Sequence, residues 1–294
     1  IVSLNQDDLG VELVRPFLSF KLSADGKRAY LKWYTRLDSE LMILDISGSK
    51  PEILKHFEAS LSTNFDDFAF SSNGNILAIA SDPSEITLHD LVSPAQSTIR
   101  LGDYESTRVK LVFAKNDTLL LVINYQISIY DITNISNPIF LSSISTTEGG
   151  FPRILSAVVT GDSNNLIIEW YQTSRKLQIY DISDTKTPKL ISELALPKRN
   201  FESDSEILTE FYGPFAYSEK KKMGYVSTKS DKLLRVDLSD LKNPAISGVV
   251  PVPICKNCGC SRFIISADGT TAFATNQTGM LKVLHADTRN PNWY

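Results

Sequence analysis

The sequence has little cysteine and little histidine, no large excess of either charge, and no long hydrophobic run. Its 294 residues include 3 Cys and 3 His, and 30 basic against 34 acidic side chains give a net charge of -4. The basic patch of a nucleic-acid-binding protein usually makes the net charge of the chain positive. The longest apolar runs, such as 119–123, are strand-sized, whereas a membrane helix needs about 18 residues. The composition therefore predicts neither nucleic-acid binding nor membrane insertion within this segment.

Hydrophobic residues form 42% and charged residues 22% of the chain, which is typical of a folded globular protein. The chain begins Ile1-Val2-Ser3 without a methionine. This start indicates either a processed mature chain or a piece of something longer.

One short motif recurs six times along the chain. In its full form it reads Ile/Leu-x-Ile-Tyr-Asp-Ile-Ser/Thr, and His285 stands in the Asp position of the last copy. The copies lie at 41–47, 86–91, 127–133, 177–183, 233–239 and 281–287. Their spacing of 41 to 56 residues is that of a propeller blade.

Two further signals accompany each copy of the motif. A hairpin precedes it, most clearly at Asp25-Gly26 and Asn73-Gly74, because these dipeptides tolerate the positive φ of a tight turn. A short apolar run follows it, except after the last copy. No segment has the i, i+3, i+4 spacing of a helix.

Four short strands in each of six repeats predict an all-β fold. We expect one domain, 1–294, that forms a six-bladed β-propeller of four-stranded antiparallel blades. The blades are predicted at about 14–58, 64–102, 107–146, 152–196, 208–252 and 260–294.

The two ends of the chain predict how the ring closes. The sixth repeat stops at Tyr294, where the other repeats begin a fourth strand, and residues 1–5 belong to no full repeat. We expect residues 1–7 to pair as the fourth strand of the last blade, which removes two exposed sheet edges. The alternative is a fragment whose last strand is absent.

The motif resembles the bacterial and protist repeat family named for its Leu-Val-Ile-Val-Asp consensus. The similarity extends over all six copies and is clearest at 127–144 and 177–194. It implies propeller repeats of surface or secreted proteins, mostly without assigned chemistry. The second copy resembles a WD repeat at 70–80 and 86–90 but lacks the Trp-Asp and Gly-His signatures. The motif thus specifies fold more than function.

The repeated aspartate has a structural interpretation. It follows the last apolar residue of a predicted third strand, so its carboxylate can accept hydrogen bonds from the main-chain N–H groups of the next turn. A shared cation is the less favoured alternative, because one carboxylate per blade leaves the five too far apart for bonds of about 2.4 Å. The residues are Asp45, Asp90, Asp131, Asp181 and Asp237.

Nothing in the pattern singles out a catalytic residue or a cofactor site. Ser23-Ala-Asp-Gly and Ser266-Ala-Asp-Gly lack the spacing and tryptophan of a sialidase box. His56, His89 and His285 fall on predicted third or fourth strands, away from the axis where a metal site or catalytic base would lie. We therefore favour a non-catalytic protein without a cofactor. An enzyme of hydrolase type, with its site in the central pocket, is the alternative.

A short cysteine cluster interrupts the repeat pattern before the sixth blade. Cys255, Cys258 and Cys260 lie within six residues, too few for a disulfide framework. They could form a redox pair, a local disulfide or a metal site whose fourth ligand comes from elsewhere. Inert thiols are a further alternative.

Aromatic and basic residues mark a candidate partner-binding surface. Large aromatics recur at the ends of predicted second strands, where one face of a propeller would gather them: Trp33, Tyr34, Tyr125, Trp170 and Tyr171. Arg175 lies beside one of these ends. The long connection 196–210 adds Lys198, Arg199 and Phe201. Such clusters are typical of interaction hot spots, and packing between blades is the alternative.

Three Asn-x-Ser/Thr sequons, at Asn116, Asn134 and Asn276, are glycosylation candidates and mildly favour a secretory route.

We predict a module that binds other proteins or other domains of its own chain, outside the cytoplasm or as the head of a larger surface protein. An intracellular structural component of a large assembly is the remaining alternative.

Overall fold

The computed structural model contains, in the part of the chain that it describes, only β-strands, turns and irregular connections. None of the described segments is a helix long and apolar enough to span a bilayer. The predicted all-β fold is therefore confirmed. The described residues are 19–22, 28–34, 38–45, 47–48, 52–60, 67–82, 85–101, 109–124, 126–145, 153–171, 174–197, 215–227, 232–251, 262–265, 271–275 and 281–285.

The chain divides into two compact units, Ile1–Ser143 and Ile144–Tyr294. The described strands form six antiparallel sheets, numbered here in chain order. Sheet 1 comprises β1 (Ser19–Leu22), β2 (Arg28–Tyr34), β3 (Asp38–Asp45) and β4 (Glu52–Ser60). Sheet 2 comprises β5 (Asp67–Phe70), β6 (Ile76–Asp82), β7 (Glu85–Asp90) and β8 (Gln96–Arg100). Sheet 3 comprises β9 (Lys110–Ala114), β10 (Leu119–Ile123), β11 (Gln126–Asp131) and β12 (Ile139–Ser145).

The remaining sheets follow the same order. Sheet 4 comprises β13 (Arg153–Val159), β14 (Asn165–Tyr171), β15 (Arg175–Asp181) and β16 (Lys189–Ala195). Sheet 5 comprises β17 (Ala216–Ser218), β18 (Met223–Ser227), β19 (Lys232–Asp237) and β20 (Ala245–Pro251). Sheet 6 has three described strands, β21 (Arg262–Ile265), β22 (Thr271–Thr275) and β23 (Leu281–His285). The predicted closing strand 1–7 lies outside the described residues.

The central strands of a sheet are apolar on both faces. All five residues of β10 are buried, and Leu121 lies between Val112 of β9 and Ile129 of β11. A strand covered on both faces takes such a continuous apolar run. The fourth strand has a strand on one side only among the described residues, and all seven residues of β16 are accordingly exposed or half-buried.

The predicted hairpin turns join the first and second strands. Gly74 has a φ of 69°, and its N–H donates to Ser71 O at 2.9 Å, as the Asn-Gly signal requires. In sheet 3 the turn instead places three non-glycine residues in the left-handed region, Lys115, Asn116 and Asp117, with φ of 48°, 53° and 67°.

Neighbouring sheets of the first unit pack with equivalent ends side by side. β5 lies beside β9, and the N–H of Leu111 donates to Asp67 Oδ2 at 3.0 Å. Between the hairpin turns of the same two sheets, the N–H of Ser72 donates to Asp117 Oδ1 at 2.8 Å. The first strands of sheets 2 and 3 thus lie beside each other, and so do the hairpin turns of these two sheets.

The second unit repeats this arrangement with different residues. The N–H of Gly161, in the turn of sheet 4, donates to Glu219 Oε2 in the turn of sheet 5 at 2.8 Å. Ser156 Oγ donates to Phe215 O at 3.2 Å, and β17 lies beside β21. One apolar cluster, which includes Ile167 of sheet 4, fills the space between sheets 4 and 5.

Candidate functional site

The repeated aspartates shape the loop between the third and fourth strands. Asp131 Oδ1 accepts the N–H and the hydroxyl of Thr133 at 2.8 and 2.6 Å. Asp181 Oδ1 accepts the same pair from Ser183 at 2.9 and 2.6 Å. Both bonds lower the pKa of the two carboxyls, and the bond from the hydroxyl contributes more than the bond from the N–H. Equivalent bonds form at Asp45, Asp90 and Asp237. The Asx-turn interpretation is therefore confirmed.

Within the described residues, no three side chains of His, Cys, Asp or Glu lie close enough together to hold a metal ion. The cysteines proposed as weak metal candidates, Cys255, Cys258 and Cys260, lie outside the described residues.

Two members of the predicted partner-binding surface lie in the interior. Trp170 is 1% exposed and Arg175 is 4% exposed, whereas a docking surface requires both to be accessible. Trp170 ends the buried run of β14, and the guanidinium of Arg175 pairs with the carboxylate of Glu169, which is fully buried. This corrects the expected exposure of both residues: the indole is packed in the core, and the cation is neutralised beside it.

The other members of that predicted surface are not brought together by the described structure. Trp33 and Tyr34 end β2 and Tyr171 ends β14, but only their backbones are described. Tyr125, Lys198, Arg199 and Phe201 lie outside the described residues.

Two of the three sequons are described. Asn134 lies exposed in the loop between β11 and β12, as predicted, and its Oδ1 accepts the N–H of Ser136 at 3.1 Å. Asn116 lies exposed in the left-handed turn before β10. Asn276 lies outside the described residues.

The histidines occupy the predicted strands. His56 of β4 contacts Glu40 of β3, with 2.7 Å between Nε2 and Oε2. His89 of β7 packs against the ring of Phe57, and burial, with a smaller contribution from Lys55, lowers its pKa. His285 is the last residue of β23. The first two contacts join strands and sheets, which is a structural role.

A polar network on sheet 4 was not foreseen from the sequence. Lys176 Nζ and Gln178 Nε2 both donate to Glu193 Oε2 at 2.8 Å, which ties β15 to β16. The hydroxyl of Tyr180 donates to Gln178 Oε1 at 2.9 Å. Burial, with a smaller contribution from Glu193, raises the pKa of Tyr180 to about 12. The phenol therefore stays protonated and acts as a donor.

The structure reveals exposed apolar residues at one repeat position of the fourth strands. Each lies nine residues after the motif aspartate and is 41 to 54% exposed. We call this set the outer apolar row, a name for the shared repeat position in the sequence and not for a spatial arrangement; its members are Leu54, Phe140, Leu190 and Ile246. The sequence gives no signal for this exposure, because large apolar side chains on a strand normally indicate burial and Ile99, at the same distance from Asp90, is 6% exposed.

Comparisons with known proteins identify the fold and no family. No protein-family model matches the chain, and no curated protein matches it. A functionally unknown protein from Desulfotomaculum acetoxidans is similar in structure, with a TM-score of 0.71, 13% identity and coverage of 97% of this chain and 86% of that chain. A candidate 6-phosphogluconolactonase from Bacteroides fragilis has a TM-score of 0.67 and 15% identity, with coverage of 94% and 81%.

A third similar structure is the β-propeller domain of Cps50 (Swd1) from Myceliophteria thermophila. It has a TM-score of 0.63 and 13% identity, with coverage of 91% of this chain and 82% of that chain. At these identities the likeness concerns the fold alone. Together with the four-stranded antiparallel sheets, it places this chain among proteins with a propeller-like fold.

Proposed function

We propose that this chain is a six-bladed β-propeller, completed by residues 1–7 as the fourth strand of the last blade, and that it is a non-catalytic module for binding proteins. The six predicted repeats and the six sheets of the described residues support the blade number, and the unassigned residues 1–5 of the repeat pattern support the closure. The turn-to-turn contacts, such as that of Ser72 with Asp117, support side-by-side packing of blades.

The outer apolar row is the observation that carries the binding function. Four fourth strands each present one large apolar side chain to solvent at the same repeat position. Water-exposed apolar groups gain free energy when a partner covers them, so each of these four strands offers an apolar contact to a partner. The similarity to a known propeller domain supports the fold on which this role is proposed.

Affinity purification from the native source tests the binding function. A tagged chain is expected to retain the same partner in repeated preparations, identified by mass spectrometry. Threonine in place of Leu54, Leu190 and Ile246 is expected to release that partner while the circular dichroism spectrum stays unchanged. The matched control, Thr98→Ser, alters an exposed polar position of β8 and is expected to keep the partner. Equal retention by both variants contradicts a role for the row.

Paired substitutions test the closing strand. If residues 1–7 form a strand, Val2 and Leu4 share one face of it and Ser3 and Asn5 the other. Aspartate at Val2 and Leu4 is expected to lower Tm by about 5 °C or more, since about 1 kcal/mol shifts Tm by 2–4 °C in a chain of this size class. Aspartate at Ser3 and Asn5 is the control. Equal Tm values for both variants and the unmodified chain contradict closure.

We propose membership of the Leu-Val-Ile-Val-Asp repeat family and a location outside the cytoplasm, as a secreted protein or the head of a surface protein. The motif copies support the first, and the exposed Asn134 supports the second. Mass spectrometry of the native protein tests the location. A glycan on Asn134 supports it, whereas an unmodified Asn134 together with fully reduced cysteines favours an intracellular assembly.

A hydrolase is the second candidate function. It is favoured by the structural similarity to a candidate 6-phosphogluconolactonase. Incubation of the purified chain with 6-phosphogluconolactone, with spontaneous hydrolysis as the blank, tests it. Turnover above the blank that is lost on heat denaturation establishes the enzyme, and hydrolysis at the blank rate removes this candidate.

A further inference from the structure

Among the described fourth strands, β12 is the one whose own sequence has no residue of the kinds that hinder the addition of another strand. Its seven residues, Ile-Phe-Leu-Ser-Ser-Ile-Ser, contain no charge, proline or glycine. In contrast, β4 and β16 carry both acidic and basic residues, β8 ends in Arg100, and β20 contains Gly248 and Pro251. Charges, prolines and glycine irregularities are the means by which proteins protect sheet edges.

The absence of charge extends beyond the strand. No charged residue lies between Asp131 and Glu148, and Asp131 is the only one within 118–147. An added strand would therefore meet no charged side chain from β12 or from its immediate flanks. A charged peptide would lose hydration there without gaining a counter-charge, which is unfavourable.

Two large apolar side chains at the start of β12 are ready to contact such a strand. Ile139 and Phe140 are each 54% exposed. The ring of Phe140 packs edge-on against Tyr130 of β11, with 5.6 Å between the ring centroids. Because Tyr130 is buried, this contact holds the phenyl ring in place beside the edge. A fixed aromatic side chain loses little conformational entropy on binding.

We propose that β12 binds an extended, uncharged peptide segment of a partner protein, which adds to sheet 3 as a fifth strand. The main chain of the peptide pairs with the outer edge of β12, and its side chains contact Ile139 on one face of the sheet and Phe140 on the other. This is β-strand addition, in which main-chain bonds supply affinity and alternate side chains supply specificity. The proposal rests on the proposed protein-binding function and names the chemistry of one partner.

A flexible peptide fits this edge better than a second copy of the chain. Two folded bodies that meet along one strand of 7 residues bury less than the roughly 1,200 Å² of a stable interface. Each copy also carries a net charge of -4, so two copies repel one another.

A synthetic peptide tests the inference on the full chain. The probe is an acetylated, amidated peptide of alternating threonine and valine. Its length equals that of β12, 7 residues. We expect saturable binding with a Kd below about 1 mM, and slower amide hydrogen exchange in 139–145 but not in 189–195. The same peptide with N-methyl groups on alternate amides cannot pair and is expected not to bind. No saturation by the unmethylated peptide overturns the proposal.

Two matched variants locate the binding. Phe140→Lys introduces a charge at the edge of β12 and is expected to weaken peptide binding about tenfold or more. Val249→Lys is the control, because Val249 lies on the fourth strand β20 outside the outer apolar row and is 52% exposed, close to the exposure of Phe140. Phe140→Thr keeps the edge uncharged and is expected to lose less affinity than Phe140→Lys. Equal affinities for the two lysine variants overturn the proposal.

Failure of this inference and failure of the proposed function give different results. If sedimentation shows the free chain to be a dimer that Phe140→Lys dissociates, a second copy occupies β12 and the peptide occupant is wrong. If the native partner copurifies equally with Phe140→Lys and the unmodified chain, binding persists at another surface. If no partner copurifies but the peptide protects β12, the strand-addition edge remains and the proposed function fails.

Discussion

The carboxylate of Asp117 accepts both the N–H and the hydroxyl of Ser72, a residue 45 positions earlier in the chain, at 2.8 and 2.6 Å. Ser72 lies in the hairpin turn of sheet 2 and Asp117 in that of sheet 3. One side chain thus joins two successive repeats. Asp117 makes these bonds from a left-handed conformation, with a φ of 67°, which aspartate tolerates better than most residues.

Removing the charge of Asp117 is expected to weaken the junction between sheets 2 and 3. Asp117→Asn keeps the tolerance for positive φ, so the loss of about 1 kcal/mol in free energy of unfolding comes from weaker hydrogen bonds. Urea unfolding measures it, and a double-mutant cycle with Ser72→Ala supplies the control. Additive effects of the two substitutions contradict a direct coupling.

Gly224→Ala is expected to destabilise sheet 5. A Cβ atom at Gly224 would lie 2.5 Å from Phe215 Cε2, so the ring must move in a packed interior. Such overpacking costs about 1–3 kcal/mol, which thermal unfolding measures. Phe215→Leu in the same chain is expected to recover part of the loss, and a Gly224→Ala protein as stable as the unmodified chain contradicts the close approach.

The Asx turns make stability depend on acid pH. The folded-state pKa of Asp131 and Asp181 is lowered, chiefly by the hydroxyls of Thr133 and Ser183. A lowered pKa stabilises the fold above the unfolded value of 3.8, and this contribution is lost as pH falls through the folded value. Tm is therefore expected to fall as pH is lowered from 5 towards about 3. Asp131→Asn should show a smaller fall, because asparagine does not titrate.

Breaking the buried ion pair is expected to destabilise sheet 4 strongly. Glu169→Gln leaves the guanidinium of Arg175 in the interior without this counter-charge, which costs about 3–5 kcal/mol. Glu169→Leu combined with Arg175→Met removes both charges and is expected to recover most of that loss. Chemical denaturation compares the three proteins. A Glu169→Gln protein as stable as the unmodified chain argues against the ion pair.

Local features of this fold could be predicted from the sequence. The motif at 127–133 gave the position of β11, Asn73-Gly74 gave the turn before β6, and the aspartate that ends each motif gave the Asx turn. Each of these depends on interactions within a few residues, such as Asp131 with Thr133. Neighbouring residues in the chain are sufficient to encode them.

The candidate site was less predictable, because exposure depends on what packs against a strand. Trp170 and Phe140 are both large aromatics on predicted strands, yet one is buried and the other is half-exposed. Trp170 lies on a second strand, with strands on both sides, and Phe140 on a fourth strand, with a described neighbour on one side. The charge of Arg175 suggested a surface position, and only the partner Glu169 makes its burial favourable.

The sequence by itself determined the repeat length, the strand order within each repeat and the turn chemistry, since period-two alternation and Asx or glycine turns act over short chain distances. The tertiary structure alone decided which side chains meet across repeats. Ser72 with Asp117 and Gly161 with Glu219 are 45 and 58 positions apart, and nothing local to either residue specifies its partner. The packing of neighbouring sheets also decided which apolar residues remain exposed at the surface.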